Sequence, residues 1–284
     1  MVGGAGGPGG PLAGLRAAYD TGARLWAEGP EPVYASLARA LLAEVRPAEV
    51  RPAEVRPAES LLAEALPTDW RVLDLGAGTG VAGRAALAAG AQSVVCADSA
   101  LGMLRRCEAR VHPVAADVTR LPFRDRCFDL ALAAFCLGHL DRPVAGLQEA
   151  RRVAAALAAS SFAAGWNHPA KAAVDEVLAW FGYRPPPWYV TFKQDTEPWA
   201  SDPAALVRDA TAAGYTGIRL RTVTVDTGLS SPAELASWRL GMAHVAPFVG
   251  SLTPARRGEL WRAAQAAVTG TGPLVVDMLV LTAR

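Results

Sequence analysis

The sequence predicts an α/β chain: a doubly wound, mostly parallel sheet of seven strands under a helical cap. Three observations predict it. Between residues 70 and 162, short apolar runs alternate with helical patterns. The first apolar run ends in a glycine-rich turn that opens a helix, at 76–80. After 162 the rhythm gives way to proline- and aromatic-rich segments, with two more strand-like runs near the end.

Each element follows from its pattern. Leu15, Ala18, Tyr19, Gly22, Leu25 and Trp26 recur at three- and four-residue steps, which predicts a helix, and a second helical run over 33–42 follows the turn at Gly29-Pro30. Strands are expected over 71–75, 93–97, 114–116, 128–134 and 157–162, with helices over 81–89, 100–109 and 141–153 between them. Beyond these come a helix over 203–213, a strand over 218–225, two helices within 231–268 and a last strand over 274–281. The expected organisation is a Gly/Pro-rich disordered tail (1–11), a helical cap (12–66), the nucleotide-binding core (67–165) and a cap insertion (166–200). The segment 201–284 then completes the sheet and carries lid helices at 231–268. Within the first cap, Glu-Val-Arg-Pro-Ala repeats three times over 44–58; proline at every fifth position forbids a continuous helix, so a solvated loop is expected.

Composition narrows the function. With 284 residues and 51% hydrophobic side chains the chain can bury a sizeable core, and a net charge of +1 speaks against a nucleic-acid binder. Of 28 Lys and Arg, only Lys171 and Lys193 are lysine, a bias that fits a GC-rich genome. No apolar run is long enough for a membrane span, and the first residues lack the pattern of a secretory leader. Cys96, Cys107, Cys127 and Cys136 form no Cys-x-x-Cys pair, so no metal site is expected and a reduced, cytoplasmic setting is.

The segment Val72-Leu73-Asp74-Leu75-Gly76-Ala77-Gly78-Thr79-Gly80 carries the sharpest signal. Glycines let a backbone approach a ligand, and the helix they open favours a negative group at its start. Gly78, Gly80 and Gly83 also fit the dinucleotide fingerprint, and Asp98 falls where that fingerprint places its ribose acid. Asp74 separates the two readings: an acid ending an apolar strand can hold a cationic amino group. Asp117 could accept from the exocyclic amine of adenine, with Val118, Leu121, Pro122 and Phe123 as walls.

On these residues the chain resembles the class I S-adenosylmethionine-dependent methyltransferases, in the ubiquinone/menaquinone-methyltransferase-like (methyltransferase type 11) branch. The matching stretches are VLDLGAGTG (72–80), VVCADSALGML (94–104), AADVTRLPF (115–123), CFDLALAAFCLGHL (127–140) and ARRV (150–153). The resemblance implies a Rossmann-like sheet with an antiparallel last strand, S-adenosylmethionine as cofactor and S-adenosylhomocysteine as product. It implies that Gly76, Gly78 and Gly80 line the methionine part, that Asp98 binds the ribose hydroxyls, and that Met103 lies near the adenine. Asp117 and the Val118 backbone would take the adenine, Phe135 would lie beside the sulfonium, and Ala77 and Ser99 complete the cofactor set. Gly138 departs from the pattern, standing where many relatives carry histidine. After ARRV, Ala154-Ala155-Ala156 replaces the usual proline- and glycine-containing turn, so a shortened connection is expected.

Methyl transfer from a sulfonium needs alignment and exclusion of water, and a general base is optional. No Asn/Asp-Pro-Pro-aromatic run follows the fourth strand, and no acidic cluster suggests a catechol-type magnesium site. A small organic acceptor, aromatic or apolar and of bacterial natural-product type, is the expected partner. Neither nucleic acid nor membrane is expected, and the oligomeric state stays open. The candidate acceptor contacts are Trp26, Trp166, Asn167, Trp188, Tyr189, Trp238, Met242 and His244. His168 and His139 are candidate bases, His139 being weighed against a helix-capping role, and Tyr19 resembles a gate residue of the family. The alternatives are a non-methylating enzyme of this fold, such as a cyclase, and a nicotinamide-dependent oxidoreductase.

Overall fold

The computed structural model describes residues 11–45, 56–57 and 66–284. The tail expected over 1–11 lies outside these residues except for Pro11, and so does most of the repeat loop expected over 44–58.

The core strands are β1 (Arg71–Leu75), β2 (Ser93–Asp98), β3 (His112–Ala115), β4 (Phe128–Ala134), β5 (Ala154–Phe162), β6 (Arg219–Asp226) and β7 (Val275–Ala283). They form one sheet in the order β3-β2-β1-β4-β5-β7-β6. The first five run parallel, and β7 pairs antiparallel with both β5 and β6. At the β6 edge, Arg56–Pro57 adds a short parallel pairing to Val225 and Asp226.

Two packed faces explain the apolar strands. Side chains alternate across a strand, so Val72, Leu130 and Leu132 meet one helical layer while Leu73, Leu75 and Ala131 meet the other. The helices are α1 (Pro11–Glu28), α2 (Glu31–Ala43), α3 (Val81–Ala88), α4 (Leu101–Leu104), α5 (Pro143–Val153) and α6 (Pro169–Trp180). After these come α7 (Pro187–Thr191), α8 (Glu197–Ala200), α9 (Pro203–Ala212), α10 (Pro232–Leu240), α11 (Ala246–Ser251) and α12 (Pro254–Ala267). Leu37 and Leu41 of α2, Ala82 and Ala86 of α3, and Val174 and Leu178 of α6 cover the first face, with help from α10 and α12. Leu147 and Ala150 of α5 and Leu206 and Ala210 of α9 cover the second.

Several boundaries differ from those the sequence predicts. The helix expected over 100–109 stops at Leu104, because Arg106 and Cys107 donate back three residues to Met103 O and Leu104 O and tighten the chain into turns. The third strand begins at His112 and includes Pro113; it is an edge strand, where a missing N–H is tolerated. The region 231–268 holds three helices, not two. Pro232, Pro247 and Pro254 each sit in a first turn, where proline starts a helix instead of breaking it. The fifth strand starts at Ala154, so α5 passes into β5 with no intervening loop, at the end of the sheet opposite the glycine turn.

Arg152, near the end of α5, braces the chain between β3 and β4. Its guanidinium donates to Leu121 O, Phe123 O, Asp125 and both oxygens of Glu149. Glu149 in turn accepts from Leu121 N. The segment leaving Asp117 is therefore tied to α5.

The N-terminal cap docks on the lid through a close backbone approach. A Cβ added at Gly29 would lie 2.1 Å from Ser237 O of α10, and one added at Gly241 would lie 2.5 Å from Leu25 O of α1. Neither obstacle is a flexible side chain. Gly29→Val should therefore lower unfolding stability by about 1–3 kcal/mol, read from urea denaturation midpoints.

Candidate active site

Two chambers open at the carboxyl ends of the parallel strands, where ligands bind in such sheets. The first, about 470 Å³, lies over the glycine turn. Gly76 and Gly78 have φ of 60° and 56°, a left-handed backbone that glycine adopts without strain. A Cβ at Gly76 would also meet Cys136 Sγ at 2.5 Å. Asp98 shapes the turn from the neighbouring strand: its Oδ2 accepts from Gly78 N at 2.8 Å and its Oδ1 from Ala100 N at 2.7 Å. Burial, opposed by these backbone bonds, raises its pKa.

Asp74 is 1% exposed. Its Oδ2 accepts from Gly83 N at 2.7 Å, which fixes the first turn of α3 against β1. Its Oδ1 is buried with no partner among the described residues. Burial, with a smaller push from Asp98, lifts its pKa to about 7, against the hydrogen bond from Gly83 and the charge of Arg84. A cationic group in the chamber would remove that deficit. Met103, Ala116 and Val118 supply apolar walls, and Asp117 stands at the margin with Oδ1 accepting from Thr119 N and Oγ1.

The second chamber, about 460 Å³, lies under the cap. Tyr19, Tyr34, Phe135 and His139 line both chambers and form the wall between them. Phe135 follows β4 with φ of 54°, an uncommon conformation for a bulky residue, and its N–H donates to Ser160 O. Its ring meets Tyr34 edge-on at 5.3 Å and Phe162 at 4.6 Å. Phe162 stacks on Trp166 at 4.7 Å and 10°, so aromatic rings run from the shared wall into the second chamber. Tyr19 Oη lies 3.3 Å from His139 Nε2. Burial raises the Tyr19 pKa, with smaller contributions from Tyr34 and Asp98, and lowers that of His139 to about 4. Both side chains are therefore neutral at neutral pH.

Most residues singled out from the sequence meet here. Asp74, Gly76, Ala77, Gly78, Asp98, Ser99, Met103, Asp117, Val118 and Phe135 line the first chamber. Trp166, Trp188, Tyr189, Trp238, Met242 and His244 line the second. Four do not fall where expected. Gly80 caps α3 with φ of 77° and backs onto Cys107 and Cys96, away from the chamber. Trp26 borders the first chamber, not the second, because it packs against Tyr34 at 5.4 Å. Asn167 is exposed and lines neither. His168 is the main correction: its Nδ1 accepts from Ala170 N, so its Nε2–H donates to Pro273 O at 3.1 Å. Both ring nitrogens are committed to backbone, and the residue caps α6 outside both chambers.

Sequence reasoning missed Tyr34, Phe162, Lys171, Phe192, Lys193 and Arg239. Tyr34 and Phe162 sit in ordinary apolar patterns, and nothing local marks them. The scarcity of lysine was a visible signal. Gly138 also gains an explanation: a Cβ there would meet Ala200 Cβ at 3.1 Å and Phe192 Cε2 at 3.6 Å, so this cap fills the room a histidine would take.

A family model described as a methyltransferase domain matches residues 72–156. The chain is 36% identical over 165 residues to the demethylmenaquinone methyltransferase of Mycobacterium sp. (strain KMS), covering 54% of this chain and 71% of that one. It is 30% identical over 175 residues to that of Thermobifida fusca, covering 54% and 72%. A solved structure from Anabaena variabilis, described as a methyltransferase from an antibiotic biosynthesis pathway, shares the fold. Its TM-score is 0.52 at 13% identity, over 76% of this chain and 92% of that one. The fold and the glycine-turn chamber thus define a class I S-adenosylmethionine-dependent methyltransferase. Within that class the chain belongs to the menaquinone/ubiquinone-methyltransferase-like branch, and its cofactor is S-adenosylmethionine. Among the described residues no helix is long and apolar enough to cross a membrane.

The buried Asp74 yields a signed expectation. Its pKa is higher folded than unfolded, so the cofactor-free protein should lose stability as pH rises from about 4 to about 7. Asp74→Asn should flatten that slope in urea titrations at several pH values. The same variant should lose the thermal shift given by S-adenosylhomocysteine.

Proposed function

We propose that the chain methylates a small aromatic acceptor seated in the second chamber, the methyl group crossing between the rings of the shared wall. The observation that carries this reading is the pair of chambers, about 470 and 460 Å³, that meet at Tyr19, Tyr34, Phe135 and His139. A cavity of this size, apolar with a few polar groups, suits a small organic molecule. The named activity of the mycobacterial relatives, on demethylmenaquinone, supports a ring of quinol or phenol type.

When bound, S-adenosylmethionine supplies an activated methyl group open to in-line displacement. The chain does the rest. Asp74 would hold the cofactor's cationic amino group through Oδ1, Asp98 its ribose, and Asp117 with the Val118 backbone its adenine. Phe135, Tyr34 and Phe162 keep water from the line of transfer and hold the acceptor ring in plane. Tyr19 Oη, oriented by His139 Nε2, hydrogen-bonds the acceptor and places its nucleophilic atom. Because both groups are neutral, the pair orients without opposing a cationic cofactor.

The direct test is incubation with S-adenosylmethionine and a panel of phenols and quinols. A product heavier by one methyl group, with one S-adenosylhomocysteine per product, is expected; S-adenosylhomocysteine formation without a methylated product would refute the reading. On an accepted substrate, Tyr19→Phe should lower kcat about tenfold or more while the KM for the cofactor stays within about threefold. The pH profile should show no limb from His139 near 6.5, since its pKa lies at about 4; activity that depends on neutral His139 is lost only as pH falls toward that value.

A further inference from the structure

The two lysines of this arginine-rich chain, Lys171 and Lys193, both line the second chamber, together with Arg239. Three cations in a cavity lined by aromatic and small side chains, with Glu197 among them, need partners. Arg239, 6% exposed, forms a two-bond fork with Asp175 at 2.9 and 2.7 Å. Lys193 pairs with Glu197 one turn further along the chain. Lys171 has no carboxylate partner among the described residues; its Nζ sits 4.8 Å above the centre of the Trp166 ring. Burial, then Arg239 and Lys193, brings its pKa down to about 8, which leaves it mostly charged at neutral pH. Glu197 and Asp175 oppose that fall, but both pair with other cations, so the three cations exceed these two carboxylates by one charge.

The support beneath Lys171 is rigid. The Trp166 Nε1–H donates to Val275 O at 2.9 Å, and its ring stacks on Phe162. Phe162 in turn touches Phe135 of the shared wall. The ammonium therefore stands two ring-to-ring contacts from the point of transfer. Lysine suits this place better than arginine, being a compact point charge on a flexible stem where a planar fork would need a larger opening.

We propose that the acceptor is an acid whose anionic oxygen, from a carboxylate or an ionised phenol, ion-pairs with Lys171 while its ring lies along Phe162 and Trp166. This rests on the second chamber being the acceptor site. It makes Lys171 a specificity-determining residue: the anion balances that excess charge and sets the distance between the acid group and the methylated atom.

The test uses naphthalene probes on the full chain saturated with S-adenosylhomocysteine: 2-naphthoate with its neutral match 2-naphthamide, and 4-nitro-1-naphtholate as the ionised phenol. Affinities are read by calorimetry at neutral pH for the wild type, Lys171→Met and Ala164→Trp. The expected result is that at least one anion binds about tenfold or more tightly than the amide, the size of one charge-assisted hydrogen bond in a partly buried site. Lys171→Met should bring that anion to the level of the amide while the amide and S-adenosylhomocysteine bind as before. Naphthoate preferred over naphtholate identifies a carboxylate, and the reverse an ionised phenol. Equal binding of all three probes, or an anion preference that survives Lys171→Met, overturns the inference and leaves the acceptor chamber standing. Ala164→Trp, at the rim of the chamber, should weaken all three probes. If the probes fail to bind, or if this variant leaves their binding unchanged, the chamber reading falls and the inference falls with it.

Discussion

A carboxylate buried at the end of a strand governs this structure. Asp74 reaches from β1 to the first turn of α3 and holds it through Gly83 N. The glycine turn between strand and helix is thereby fixed at both ends, and Asp98 on the adjacent strand grips its middle at Gly78 N. Burial raises the proton affinity of both acids, and the nearby Asp98 raises that of Asp74 further. A fold without a cationic ligand would gain by replacing Asp74 with a neutral residue. A fold that binds a sulfonium and an ammonium has reason to keep it, because an unpaired buried charge is costly only until its counter-charge arrives.

The cap turns this nucleotide-binding core into a two-chamber enzyme. Helices α1 and α2 bring Tyr19 and Tyr34 down onto Phe135 and His139, and α10 brings Trp238 and Arg239 to the far side. Close backbone contact at Gly29 and Gly241 holds the two parts of the cap together, so chamber geometry is set by packing and not by loops alone. The π-helical turn Phe192–Thr196 stacks Phe192 on His139 at 4.9 Å and closes the site from the side. Such turns are uncommon, and they often sit at functional positions. Cap and core thus share one aromatic wall, and Lys171, Lys193 and Arg239 stand in the second chamber, on the cap side.

Much of the core was legible because its information is contiguous. Strand runs, the glycine turn and the three acids each lie within a few residues of the elements that place them. The cap was legible as helices and a list of candidate side chains, not as a chamber. His168 shows why: following a strand toward the site, it looked like a base, yet one backbone N–H two residues ahead and one carbonyl more than a hundred residues away occupy its ring. Trp26 sits on the expected helix but borders the first chamber only, because Tyr34, packed against it, reaches the second.

The sequence by itself determined the sheet, its parallel strands and the chamber over the glycine turn. Periodicity and the spacing of Gly76, Gly78, Asp74 and Asp98 encode local backbone geometry, and local geometry is enough to build the floor of that chamber. Only the tertiary structure decided the second one. Tyr19 and His139 are 120 residues apart, and Arg239 and Asp175 are 64 apart. Their meeting depends on how cap helices pack across the sheet, which no short window of sequence records. Lys171 marks the boundary most clearly: its rarity was visible in the composition, but its meaning depends on what surrounds it, because a charge acquires a function only from the partners that folding brings to it or withholds.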